Sequence, residues 1–316
     1  MDTNTLALQP KTTPTMYFVG VTTTKSSIMK VFPLWSDILG LGAQIVGYDA
    51  PLHAPESIYR AIVEHIKRDP LSMGALVTTH KIDLLDAARD LFEYLDPYAE
   101  LCGEISSISK LDGRLEGHAK DPITSGLAWE AFVPKGYWGN TGAEVLCLGA
   151  GGSAIAIAVY LAGLQDKADR PRRFIAVNRT QARLDALRAI QAKLDTDIEF
   201  EYILNEDPRV NDTLMARLPD GSMVINATGM GKDRPGSPIT DDGVFPRHGI
   251  AWELNYRGEL DFMHQARRQA ETRQLQIEDG WVYFLHGWTQ VIAQVFHLDL
   301  TPALFAQLDK AAASIR

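Results

Sequence analysis

Cysteine is scarce in this chain: two in 316 residues, Cys102 and Cys147, far apart and each beside apolar neighbours. That excludes a disulfide framework, and two reduced, buried thiols point to a cytoplasmic protein. Positive charge is also in short supply. Lys and Arg number 31 against 40 Asp and Glu, a formal charge of -9, and no basic stripe interleaved with aromatics runs along the chain. Such a field does not attract polyanions, so nucleic acid is not an expected partner. No spacing of His, Cys, Asp and Glu suggests a metal site. The opening MDTNTLALQPKTTP has neither a basic n-region nor a long apolar stretch and reads as a loose tail, not a signal peptide. One long stretch without charge, Val145 to Gly163, is interrupted by Gly149, Gly151 and Gly152. These break it into strand, turn and helix, which argues against a membrane span.

What is present is an ordinary globular composition, 46% apolar and 22% charged, in a chain long enough for two domains. Apolar runs and their punctuation give strands at MYFVGVT, AQIVGYD and MGALVT. Helices follow at Ile28–Leu41, from Pro55, and at Ile82–Leu95. This is the signature of a mostly parallel sheet with crossover helices. EISSISK and GRLEG, joined around Leu111-Asp112-Gly113, predict a hairpin. A Gly- and Pro-containing stretch, VPKGYWGNTG, marks the domain boundary near residue 135. Alternation then restarts with EVLCLG, FIAVN, IEFEYI, MVINAT and IAWEL as strands. The chain closes on a helical run from Trp281 and a last helix with Thr301 as N-cap and Pro302 at its first position.

The strongest chemical signal is Gly149-Ala150-Gly151-Gly152-Ser153-Ala154, between an apolar strand and an apolar helix. It fits G-x-G-x-x-A. Gly149 allows the tight turn, Gly151 lets backbone approach a pyrophosphate, and Ala154 lets helix pack on strand; the free N–H groups from Gly152 and Ser153 onward then face the anion. The next strand ends in Asn178-Arg179-Thr180, where an NAD-binding protein would present an acidic residue to the ribose. Arg179, Thr180 and, one turn on, Arg183 instead suit a ribose 2′-phosphate, so the expected cofactor is NADP.

The order of motifs resembles the shikimate/quinate dehydrogenase family over nearly the whole chain. The matching segments are Gly20-Val21 with Ser26-Ser27, Gly74 to Lys81, Gly103 to Ser107, Gly117 to Asp121, the GAGG and NRT runs, Asn226-Ala227-Thr228, and Asp279-Gly280. The resemblance implies two α/β domains. Residues 1–135, completed by helices at 282–316, would form a substrate domain, and 136–281 a Rossmann-type NADP domain, with the active site between them. It implies catalytic roles for Lys81 and Asp121, and cofactor contacts at Asn226, Thr228 and Gly280. A lysine oriented by a carboxylate can take the hydroxyl proton as hydride leaves a carbinol carbon.

Departures from the family pattern fall on substrate positions. A serine position is Ile28, an asparagine is Leu76, another is Ser106, an Asn-Thr pair is Ala119-Lys120, and a late glutamine is Gly287. Candidates for the altered pocket are Ser26, Thr78, Ser106, Tyr256 and Gln290. His80 and His118 flank the expected pair and could tune it. The expected function is NADP-dependent interconversion of a secondary alcohol and a ketone on a small cyclic polyol or hydroxy acid. The competing readings are a two-domain nicotinamide oxidoreductase with an unrelated small substrate, and an NADP(H)-binding regulator without turnover. A homodimer is compatible with all three.

Overall fold

The computed structural model describes residues 8–232 and 234–316, so the first seven residues of the expected tail lie outside it. The chain divides into two compact units, Met1–Lys120 with Gly287–Arg316, and Asp121–His286.

The first unit is built on a six-stranded sheet of β1 (Thr15–Gly20), β2 (Gln44–Asp49), β3 (Ser72–Val77), β4 (Tyr94–Leu95), β5 (Ser107–Leu111) and β6 (Arg114–His118), in the order β2-β1-β3-β5-β6-β4. β1, β2 and β3 are parallel, joined by α1 (Ile28–Leu39) and α2 (Glu56–Arg68). β5 and β6 are the antiparallel hairpin read from the sequence. Asp112 and Gly113 both take positive φ, 50° and 79°, as a two-residue turn of matching twist requires. Tyr17, Val19, Ala75 and Val77 pack on Ile62, Val63 and Ile66 of α2 and on Leu84 and Leu85 of α3 (Lys81–Ala88). On the opposite face Phe18 meets Trp288 edge to face at 4.9 Å.

The expected helix through Leu95 is shorter. α3 ends at Ala88, a single 3-10 turn follows, and Tyr94–Leu95 pairs with β6 before α4 (Pro97–Cys102) begins. Burial decides the matter: Leu95 covers Gly117, where an added Cβ would lie 2.7 Å from its Cδ2.

The second unit opens with α5 (Asp121–Glu130) and α6 (Tyr137–Thr141) and holds six parallel strands, β7 (Val145–Leu148), β8 (Arg173–Asn178), β9 (Glu199–Leu204), β10 (Met223–Asn226), β11 (Ile250–Glu253) and β12 (Gln276–Glu278). Their order, β12-β11-β10-β7-β8-β9, is the 3-2-1-4-5-6 arrangement of a dinucleotide-binding sheet when counted from β7. The helices are α7 (Gly152–Gly163), α8 (Gln181–Gln191), α9 (Pro208–Met215), α10 (Asp261–Arg268) and α11 (Ala270–Arg273). The joint falls at Lys120/Asp121, some residues before the glycine-rich stretch, because α5 packs on α7. Gly126 makes that approach possible, since a Cβ there would stand 2.3 Å from the Tyr160 ring. α12 (Trp281–Phe296) spans the second joint, and α13 (Pro302–Ala313) returns to the first unit, where the Trp35 indole N–H donates to the Leu308 carbonyl at 2.7 Å. Thr301 caps α13 through its hydroxyl, which accepts from the Leu304 N–H at 3.2 Å. Among the described residues, no helix is long and apolar enough to cross a membrane.

Candidate functional site

In a doubly wound sheet, ligands bind beyond the carboxyl ends of the strands where the strand order reverses. Here that point lies between β7 and β10, so the loop after Leu148 and the loop after Asn226 frame it. Gly149 has φ +115°, and a Cβ on it would come within 2.6 Å of the Ala227 carbonyl oxygen. This glycine is demanded by the protein's own backbone. Gly151 and Gly152 differ: a Cβ on either would meet nothing within 4 Å. Their missing side chains serve no contact in the chain, which is what a backbone surface kept bare for a ligand looks like. Ala150 is fully buried beneath them, and Ser153 accepts from the Tyr283 hydroxyl at 3.4 Å. The first N–H groups of α7 lack intrahelical partners and carry the positive end of its dipole.

At the end of β8, Asn178 uses its amide to hold Thr180, donating to the hydroxyl at 2.8 Å and to the carbonyl at 3.2 Å. Arg179 and Arg183 are both exposed, and among the described residues neither has an ion-pair partner. Two cations beside a shaped turn suit a phosphate monoester.

Beyond β10, Asn226 is fully buried and its amide is wholly engaged. Oδ1 accepts from the Thr228 N–H at 3.1 Å and hydroxyl at 2.7 Å; Nδ2 donates to Glu253 at 2.7 Å and to the Met230 carbonyl at 3.3 Å. Asn226 therefore shapes the loop from below, while Thr228 lies on it. Glu253, overlooked in the sequence, is the hub: Asn255 also donates to it, through its N–H at 2.9 Å and its amide at 2.6 Å. Burial pushes the Glu253 carboxyl up to about 7 against these bonds and the charge of Lys232. Gly280 belongs to the same support, since a Cβ would lie 2.0 Å from the Leu254 carbonyl. Tyr256 packs its ring on Phe284 at 4.5 Å and on Trp281 at 5.7 Å.

The remaining expected residues lie mostly in the first unit. Lys81 is the first residue of α3, and its Nζ is 3.9 Å from Oε1 of Glu104, both side chains largely buried. Glu104 is a second residue the sequence reading passed over, although it lies inside the Gly103–Ser107 segment. Thr79, two residues before Lys81, has φ +56°. A β-branched residue in the left-handed region is strained by about 1–3 kcal/mol, and such strain gathers at functional sites. His80 is 1% exposed and locked, Nδ1 to the Tyr59 hydroxyl at 3.1 Å and Nε2 to the Gly20 carbonyl at 3.2 Å. It braces the turn that presents Lys81.

His118 is likewise enclosed, by the Ser109 hydroxyl at 3.2 Å and the carboxylates of Asp96 and Glu116, each at 3.6 Å. Ser106 is 3% exposed, and its oxygen accepts from the Lys120 N–H at 2.8 Å, so its hydroxyl organises backbone. Ser26, Thr78 and Gln290 are partly buried within the first unit, the last on α12. Asp121 is the first residue of α5, where its carbonyl accepts from the hydroxyls of Thr124 and Ser125. Among the described residues no group of three or more His, Cys, Asp and Glu could hold a metal ion.

No family model matches the chain. Individual proteins do. The shikimate dehydrogenase (NADP(+)) of Methanothrix thermoacetophila is 31% identical over 231 residues, 71% of this chain and 74% of that protein. The enzyme of the same name from Streptococcus thermophilus is 28% identical over 217 residues, 68% of this chain and 70% of its own length. Among solved structures, quinate dehydrogenase from Corynebacterium glutamicum in complex with NAD has the same fold, with a TM-score of 0.75 over 95% of this chain and 98% of that one at 16% identity. With the glycine turn, the strand order and a relative above 30% identity in agreement, the chain belongs to the shikimate dehydrogenase family.

Proposed function

We propose that this protein is an NADP-dependent oxidoreductase that interconverts a secondary alcohol and a ketone on a small cyclic polyol or hydroxy acid. The observation that carries the reading is the pair Gly151 and Gly152, bare of side chains with open space above them at the switch point of the sheet. Kinship with enzymes named shikimate dehydrogenase (NADP(+)) supports the same chemistry. Gly149 to Ser153 hold the pyrophosphate against the start of α7. Arg179, Thr180 and Arg183 take the 2′-phosphate, while Thr228 and the Glu253-supported loop border the nicotinamide half. The nicotinamide, when bound, supplies the hydride acceptor or donor.

Lys81 handles the proton. In oxidation its neutral amine accepts the hydroxyl proton; in reduction its ammonium returns a proton to the forming alkoxide. Glu104 stands beside it, its Oε1 3.9 Å from the Lys81 Nζ. Asp121 takes the role implied by the family resemblance. Ser26, Thr78, Tyr256 and Gln290 contact the substrate. The thiols are compatible with a cytoplasmic setting, Cys147 being buried and both free. A homodimer is part of the proposal, and a nucleic-acid partner is not.

The test combines cofactor binding with turnover. NADPH raises the melting temperature more than NADH does, and a panel of hydroxy acids, polyols and the matching ketones yields a change in nicotinamide absorbance that Lys81→Ala abolishes. NADPH binding with no turnover across the panel would leave a regulator instead.

A further inference from the structure

Lys120 lies between β6 and α5, and its ammonium is partly buried. Burial lowers its pKa, and the charge of Asp96 acts in the opposite direction. Nζ donates to one protein acceptor, the neutral Oε1 of Gln294 at 2.6 Å; among the described residues no carboxylate lies within ion-pair distance of it. An ammonium has three donors, and a desolvated cation facing only a neutral amide is an arrangement that a counter-charge improves.

The backbone around it is held firmly. Asp96 caps α4 through the Ala99 N–H at 2.7 Å and accepts the Ala119 N–H at 3.2 Å. Burial would raise the Asp96 carboxyl, but bonds from His118 and these two N–H groups hold it below the usual range, so it stays charged. Ser106 fixes the next N–H, that of Lys120 itself. Gln294 lies on α12 four and seven residues along from Gln290 and Gly287, on one face of the helix. At Gly287 a Cβ would meet nothing within 4 Å. The sheet brings the other groups to the same end: the Val77 N–H donates to the Ser106 carbonyl, the Ser106 N–H to the His118 carbonyl, and the Ile105 N–H to the Lys81 carbonyl. Lys120 therefore follows β6 at the edge where β3 leads into Lys81.

We propose that Lys120, steadied by Gln294, determines substrate specificity by pairing with an anionic oxygen group of the substrate, a carboxylate. The proposal deepens the function given above and rests on it. A carboxylate beside Lys120 supplies two oxygens to the remaining ammonium donors and places a counter-charge at ion-pair distance, closer than the charge of Asp96. The open space at Gly287 gives room for the body of the molecule, and Gln290 offers an amide to its hydroxyls.

The experiment uses the full-length enzyme with shikimate, quinate and the methyl ester of shikimate, which differs from the acid by its charge. Lys120→Gln raises KM for the carboxylates tenfold or more, changes kcat less than threefold, and leaves NADPH affinity and KM for the ester unaltered. Lys120→Arg restores much of the loss, and Gln294→Ala gives a smaller rise in KM of the same selectivity. Equal effects on acid and ester, or no effect on the acids, overturn the proposal. If the wild type turns over none of these compounds, calorimetric titration of shikimate into the NADP-loaded protein still decides: binding lost in Lys120→Gln supports the role, and binding indifferent to it, or absent, refutes it. The proposed oxidoreductase activity is judged separately by the absorbance assay.

Discussion

Asn226 and Glu253 are partners across adjacent parallel strands, the last residues of β10 and β11, and the Asn226 amide donates to the Glu253 carboxylate at 2.7 Å with both side chains buried. Burial raises the Glu253 carboxyl from its ordinary value to about 7. An unfolded glutamate titrates at about 4.3, so between there and about 7 the folded state holds the proton that the unfolded state has lost. The stability this proton confers is complete below the unfolded pKa and declines as pH rises through that window. The full span corresponds to about 4 kcal/mol. Glu253→Gln keeps the shape and cannot ionise. Urea titrations at pH 5 and pH 8 should show a smaller fall in stability for the variant; an unchanged fall would remove Glu253 as the cause.

The two kinds of glycine in the turn after β7 give opposite predictions. Gly149→Ala forces a Cβ to within 2.6 Å of the Ala227 carbonyl at φ +115°, so the fold itself should lose about 3 kcal/mol or more. Gly151→Ala adds a methyl into open space at an extended φ of -85°, and stability should move by less than about 0.5 kcal/mol. Affinity for NADPH should nevertheless fall at least about tenfold, since the methyl occupies the space the pyrophosphate needs. Denaturant melts and cofactor titrations of both variants separate a glycine kept for packing from one kept for a ligand.

Strain before Lys81 offers a third test. Thr79 holds φ +56° while the side chain of the next residue, His80, is anchored to Tyr59 and Gly20. Thr79→Gly removes the steric penalty of a β-branched residue there, less the added entropy of an unfolded glycine. Stability should rise by about 1 kcal/mol in urea titrations. Because a looser turn holds Lys81 less firmly, kcat should fall as stability rises. A variant both more stable and equally active would separate the strain from the chemistry.

These tests rest on features that were unequally legible in the sequence. The alternation of strands and helices, the hairpin at Asp112-Gly113 and the glycine turn were readable because each is encoded locally, by periodicity or by a backbone geometry few residues adopt. β4 and β12 were not, being two and three residues long, too short for a period to register. Glu104 and Glu253 escaped notice because a lone glutamate beside apolar neighbours has no local signature; only folding brings Lys81 within 3.9 Å of one and Asn226 within 2.7 Å of the other. His80 and Ser106 show the reverse. Their residue types suggested chemistry, and tertiary contacts engage both in bracing the backbone.

The role proposed for Arg179 in cofactor choice gives a further prediction. Its guanidinium is exposed at the end of β8 and has no carboxylate partner among the described residues, so removing it breaks no ion pair, and stability should change by less than about 0.5 kcal/mol. A charge-assisted bond to a 2′-phosphate is worth about 1.5–3 kcal/mol, and Arg179→Ala should therefore weaken NADPH about 10- to 100-fold. NADH, which lacks that phosphate, should bind as before. Exposure makes the interaction sensitive to screening, so the wild-type preference should narrow as salt rises from 0.05 to about 0.5 M. In the variant it should be small at every salt concentration. Titrations of both nucleotides against wild type and variant decide the point: an equal loss for NADH would mean that Arg179 grips the adenosine common to the two, and the preference would then have to arise from Thr180 and Arg183.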